Sequence, residues 1–241
     1  MSAGFEHILN WRLLPGSHAF PGPDGGTCIN EAAVVAAGLP YRAITASSDL
    51  PACFSRPLAA YALGLNDAMP DPERPRLMAF VLRLSGSADT EAVEAERTRF
   101  LARESIRRIL PPLLDRASMP DLAARCDGAR DLEAALAAAR AAAWRGGAAA
   151  EAASRHRAWM AGALAASVGR AATASIAAAE DARCAAEVAE GAAPFAPGTW
   201  ALAAAILDEA LRIGRRAPEI AVAQARGRLD AARSGPERAR A

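Results

Sequence analysis

With 241 residues and a formal net charge of +1, the chain is sized for one domain or two small ones and has no global charge with which to seek nucleic acid or acidic lipid. Its 52% apolar content includes 66 alanines, which excludes a wide aromatic core. A charged fraction of 23% beside a normal share of Leu, Ile and Val excludes wholesale disorder.

Met1 to Leu14 lacks a basic leader, and Asn10 and Arg12 interrupt its apolar run, so no secretory signal is expected. Thr27 is placed to cap a helix running to Ala37, with Gly38 and Pro40 as the stop. Tyr41 to Thr45 reads as extended. Ser55 caps a second helix with Leu58, Tyr61 and Leu65 on one face, and Asn66-Asp67 reads as its stop. Pro72 or Pro75 opens a third, carrying Leu77, Phe80, Val81 and Leu84. Thr90 to Leu110 is expected as a fourth, ended by Pro111-Pro112.

No proline lies between Pro120 and Pro194, and helix is expected over Leu132 to Trp144, Ala153 to Glu190 and Trp200 to Ile213. The reading is all-α: residues 1–118 as short helices joined by Pro/Gly-rich loops, 119–233 as an alanine-rich helical bundle or array, and 234–241 as a frayed tail. No stretch is apolar enough to span a bilayer. Cys28, Cys53, Cys126 and Cys184 are widely spread, which reads as reduced thiols in a cytoplasmic protein.

The most distinctive segment is Gly16 to Glu31, GSHAFPGPDGGTCINE. Unpaired amides opening a helix carry partial positive charge. If Thr27 is the cap, Cys28 is the first helical residue, where a partly exposed thiol ionises more readily. His18 and Asp24 lie on the preceding loop, so the catalytic candidates are Cys28, His18 and Asp24. A second reading is a small anionic ligand cradled by Gly25, Gly26 and Thr27, with Arg56 as its cation. The plainer reading is structural: turn chemistry at Asp24-Gly25-Gly26, a small buried apolar residue at Cys28, a loop tie at His18, and a surface charge at Arg56. No P-loop ending is present, and His7, His18, Cys28 and Cys53 match no familiar zinc spacing, so neither a cofactor nor a metal is expected.

The block GSHAFPGPDGGTCINEAAVVAAGLPYR, followed by ACFSRPLAAYALGLND, resembles the N-terminal part of an uncharacterised family of bacterial and phage proteins that continue into alanine-rich helices. The resemblance covers roughly the first 85 residues and implies no activity. The leading functional expectation is a soluble helical interaction or scaffold protein that binds a protein partner or itself, with no nucleic acid and no membrane. The alternative is a thiol-dependent enzyme or anion-binding protein centred on Cys28.

Overall fold

The computed structural model describes residues 11–18, 26–215 and 217–238. As expected, it is helical, with short elements first and longer packed helices after them. Two-residue strands β1 (Arg12–Leu13) and β2 (Gly26–Thr27) pair in parallel, Arg12 opposite Gly26 and Leu13 opposite Thr27. They are too short for a periodicity argument to detect. Tyr41 to Thr45, expected as extended, forms no strand. Asp24, Gly25 and His7 lie outside the described residues.

The chain divides into two compact units, Met1–Glu94 with Leu211–Ala241, and Ala95–Ala210. The boundary thus falls near residue 95 rather than 118, and the C-terminal segment belongs with the N-terminal unit.

In the first unit, α1 (Ile29–Ala36) is buried along its whole length. It begins one residue later than expected, with Cys28 as its N-cap. Its end is as the sequence suggests. Gly38 has φ +80°, and the amides of Gly38 and Leu39 bond to the carbonyls of Val35 and Val34 at 2.8 and 3.1 Å. The helix α2 (Arg56–Ala68) is capped by Ser55 and buries every residue from Pro57 to Asn66. Asn66 is therefore a buried helical residue rather than a stop signal. The Pro75 segment is a 3-10 helix, Arg74–Leu82, that packs on α1.

The helix α3 (Glu91–Glu104) crosses from the first unit into the second and widens into a π turn, Ser105–Ile109. It continues as α4 (Leu110–Arg116). Pro111-Pro112 does not end the helix: both sit in the first turn of α4, where missing amide protons cost little, and the widened turn before them makes room for their rings. The spine from Ser105 to Arg116 buries Ile106, Ile109, Leu110, Leu113 and Leu114 completely.

Around this spine pack α5 (Pro120–Asp127), α6 (Leu132–Arg155), α7 (Trp159–Ala177), α8 (Ala182–Ala192) and α9 (Thr199–Ala210). The stretch expected as one helix over Ala153 to Glu190 is thus divided among three. The hairpin of α6 and α7 is antiparallel, because a side chain on Gly146 would meet Gly169 while one on Gly162 would meet Ala153. The last helix, α10 (Val222–Arg238), belongs to the first unit and packs on α1. It continues through the start of the segment expected to fray at 234.

Candidate functional site

The start of α1 is the place the sequence singles out, and its geometry is closed. Cys28 is fully buried, with 0% of its surface exposed. Its Sγ accepts the Glu31 amide at 3.4 Å, while Glu31 Oε2 accepts the Cys28 amide at 3.0 Å. This is a capping box with a thiol where serine or threonine is usual. The amide of Ile29 donates to Asn66 Oδ1 at 3.2 Å, and that of Ala32 to the Cys28 carbonyl at 3.0 Å. The amides of Cys28, Ile29, Glu31 and Ala32 are therefore engaged by the chain itself.

Glu31 is the hub of this corner. Besides the Cys28 amide, it accepts Ser17 Oγ at 2.6 Å, the His18 amide at 3.4 Å and the Ile44 amide at 3.2 Å, all on Oε1. A buried carboxylate is tolerated only when its oxygens are satisfied, and here one side chain ties two loop segments, one at Ser17–His18 and one at Ile44, to a helix start. Asn66 extends the tie by donating Nδ2 to the Leu14 carbonyl at 2.7 Å, and Asp67 accepts the Gly16 amide at 2.9 Å. Asn30 donates to the Ala59 carbonyl at 3.0 Å, while its Oδ1 is buried with no partner among the described residues.

The expected ionisation of Cys28 is reversed. Burial pushes its thiol well above the usual range, and the nearby Glu31 charge pushes it further. Tyr41 shifts the same way, by burial and then by Glu31, and its hydroxyl donates to the His18 carbonyl. The His18 ring places Nε2 2.9 Å from the Pro15 carbonyl, a loop tie rather than the partner of a nucleophile. Without a solvent-facing thiolate, the Cys28–His18–Asp24 assignment loses its nucleophile.

Of the residues expected to cradle an anion, Gly26, Thr27 and Arg56 have internal roles. Gly26 is required by strand pairing, since a Cβ there would stand 2.6 Å from Leu14 Cδ1 and 2.9 Å from the Arg12 carbonyl oxygen. Thr27 is buried and donates its hydroxyl to the Cys28 carbonyl at 2.9 Å. The guanidinium of Arg56 donates to the carbonyls of Leu50, at 2.8 Å, and Ser47. Its charge ties down the loop before α2. Among the described residues, no three His, Cys, Asp or Glu side chains gather in a way that would hold a metal ion.

Glu31, Ser17, Tyr41 and Asn66 carry the corner; the sequence singled out none of the first three as a site residue and presented Asn66 only as a helix stop. The three-residue spacing from Cys28 to Glu31 was the available signal, since it is that of a capping box. Nothing local to Asn66 announces its reach to Leu14 and Ile29.

The surface has a different character. Among the described residues, the large apolar side chains standing in solvent are Trp144, Trp159 and Met160, each 76% exposed, and all three lie on the α6–α7 hairpin. Comparison with protein-family models, with curated proteins and with solved structures yields no match.

Proposed function

We propose that the protein is a helical interaction module whose α6 docks a protein partner through its outward face. Trp144, 76% exposed in the middle of this 24-residue helix, carries the reading. Ala137, Arg140, Trp144 and Ala148 are exposed at helical spacing, so one indole and one guanidinium rise from a flat surface of small side chains. Tryptophan and arginine are the side chains that most often anchor protein interfaces, and a flat alanine surround lets a partner close tightly around them. No helix among the described residues is long and apolar enough to cross a membrane. The likeness of the N-terminal block to uncharacterised bacterial and phage proteins is compatible with such a role and adds no chemistry to it.

The test compares the wild-type chain with Trp144→Ala in affinity capture read by quantitative mass spectrometry. A specific partner is expected whose recovery falls at least tenfold in the variant, the loss typical of a hot-spot residue at ~2 kcal/mol. Equal recovery by both proteins, with unchanged circular dichroism, overturns the proposal.

A further inference from the structure

The turn between α6 and α7 carries a separate surface. Ser154, Arg155, His156, Arg157, Ala158, Trp159, Met160 and Ala161 are all exposed. From Trp144 to Arg170 there are four arginines, of which Arg145 pairs with Asp121 of α5 at 2.7 Å, and a single acidic residue, Glu151, which pairs with Arg155 at 2.5 Å. Trp159 and Met160, each 76% exposed, stand beside these cations at the end of the hairpin.

The backbone adds to the positive character. The last carbonyls of α6 are satisfied within the turn: the amides of His156, Arg157 and Ala158 bond to the carbonyls of Ala152, Ser154 and Ala153 at 3.2, 3.1 and 2.9 Å. The opening of α7 is different, since Ala158 offers no side-chain cap to its first amides, which form the positive end of the helix dipole. Arg157 holds φ +54°, a conformation that glycine would adopt without strain, so the turn keeps a cation where a relaxed backbone would not choose one.

We propose that this tip inserts into the headgroup layer of an anionic phospholipid bilayer, independently of the Trp144 face. An indole is suited to the interface between headgroup and hydrocarbon, Met160 supplies an apolar neighbour, and Arg155 and Arg157 meet the phosphates. The chain's near-zero net charge does not oppose this, because attraction to a surface decays within a Debye length and is set by the local cations. A second copy of the chain is the poorer occupant, since an isologous contact would bring the same arginines face to face. The association is peripheral, and Trp144, eleven residues before Arg155 and roughly 16 Å along the helix, lies behind it.

The experiment is co-sedimentation of the full chain with vesicles of phosphatidylcholine alone or mixed with phosphatidylglycerol. Binding is expected only to the mixed vesicles and to weaken with added salt. It is lost in the Trp159→Ser/Met160→Ser variant, reduced roughly fivefold by each of Arg155→Ser and Arg157→Ser, and kept by Trp144→Ala. All of these positions are solvent-facing, and circular dichroism verifies that each variant is folded. The proposal is overturned if mixed vesicles fail to bind, or if binding survives loss of Trp159 and Met160. A Trp159-dependent complex with a soluble protein or with a second copy, in place of vesicle binding, overturns it as well.

Discussion

A thiol ahead of a helix experiences two opposed effects, and their sizes decide the chemistry of Cys28. The field of the helix start favours a thiolate by ~1 kcal/mol, whereas full burial raises a pKa by as much as several units at ~1.4 kcal/mol each. At 0% exposure burial wins, and the carboxylate of Glu31 adds to it. The consequence is a stability that falls in alkali. Above the ordinary thiol value of 9.0 the unfolded chain releases the Cys28 proton while the folded chain retains it, so unfolding is favoured as pH rises. Cys126, pushed by burial to about 11, and Tyr41, raised from 10.0, contribute with the same sign. Cys28→Ser preserves a capping acceptor and removes one thiol from this set. Its unfolding free energy, read from urea titrations, is expected to fall less between pH 8 and 10 than that of the wild type, by ~1 kcal/mol. Parallel pH profiles for the two proteins would refute the account.

At the scale of elements, the hairpin of α6 and α7 shows which parts of an alanine-rich sequence are legible. Neighbouring glycines at 146 and 147 read as a helix end beyond Trp144, yet α6 runs on to Arg155. A Cβ on Gly146 would stand 2.8 Å from the Gly169 amide nitrogen and 3.0 Å from the Ala165 carbonyl oxygen, whereas one on Gly147 would meet nothing within 4 Å. One glycine permits close backbone approach, and its neighbour only weakens the helix. Gly147→Ala is accordingly expected to raise stability by ~0.5–1 kcal/mol, and Gly146→Ala to lower it by ~1–3 kcal/mol, both read from thermal unfolding. Two variants shifting in the same direction would contradict the packing. The same physics governs the wider comparison of sequence with structure. Cap-and-stop chemistry located the two helices opening near Cys28 and Ser55, and helix-favouring composition located those beginning at Leu132 and near Trp200. The break at His156–Ala158 has neither proline nor glycine to announce it, and Pro111-Pro112 announces a break that the π turn absorbs. In the candidate site, residue types were legible and burial was not. Reactive and structural cysteines share the same letters, and only the packing of Ile44, Asn66 and Ser17 around the helix start separates them.

At the scale of the molecule, the chain returns to where it began. Its last helix carries Arg226, Arg228 and Arg233 with Asp230 between them, a pattern that suits a solvated surface. Yet Ala225 and Leu229 are completely buried, and the Arg228 guanidinium donates to the Ala36 carbonyl at 2.7 Å, at the C-terminal end of α1. A cation there satisfies an orphan carbonyl and meets the negative end of the helix dipole. The amide of Ile220 likewise donates to the Leu82 carbonyl at 3.1 Å. These contacts make the first unit depend on residues distant in sequence, while the second is built from one continuous segment, Ala95–Ala210. A chain ending at Ala210 should therefore lose hydrogen-exchange protection selectively. The amides of α1 are expected to exchange faster by an order of magnitude or more, since local opening free energies follow the contacts that an element retains. Those of the spine around Ile109 and Leu113, whose surrounding helices all survive the truncation, should exchange as in the full chain. Equal loss in both places would mean that the molecule unfolds as a single cooperative body, and unchanged protection in α1 would mean that α10 contributes no stability to it.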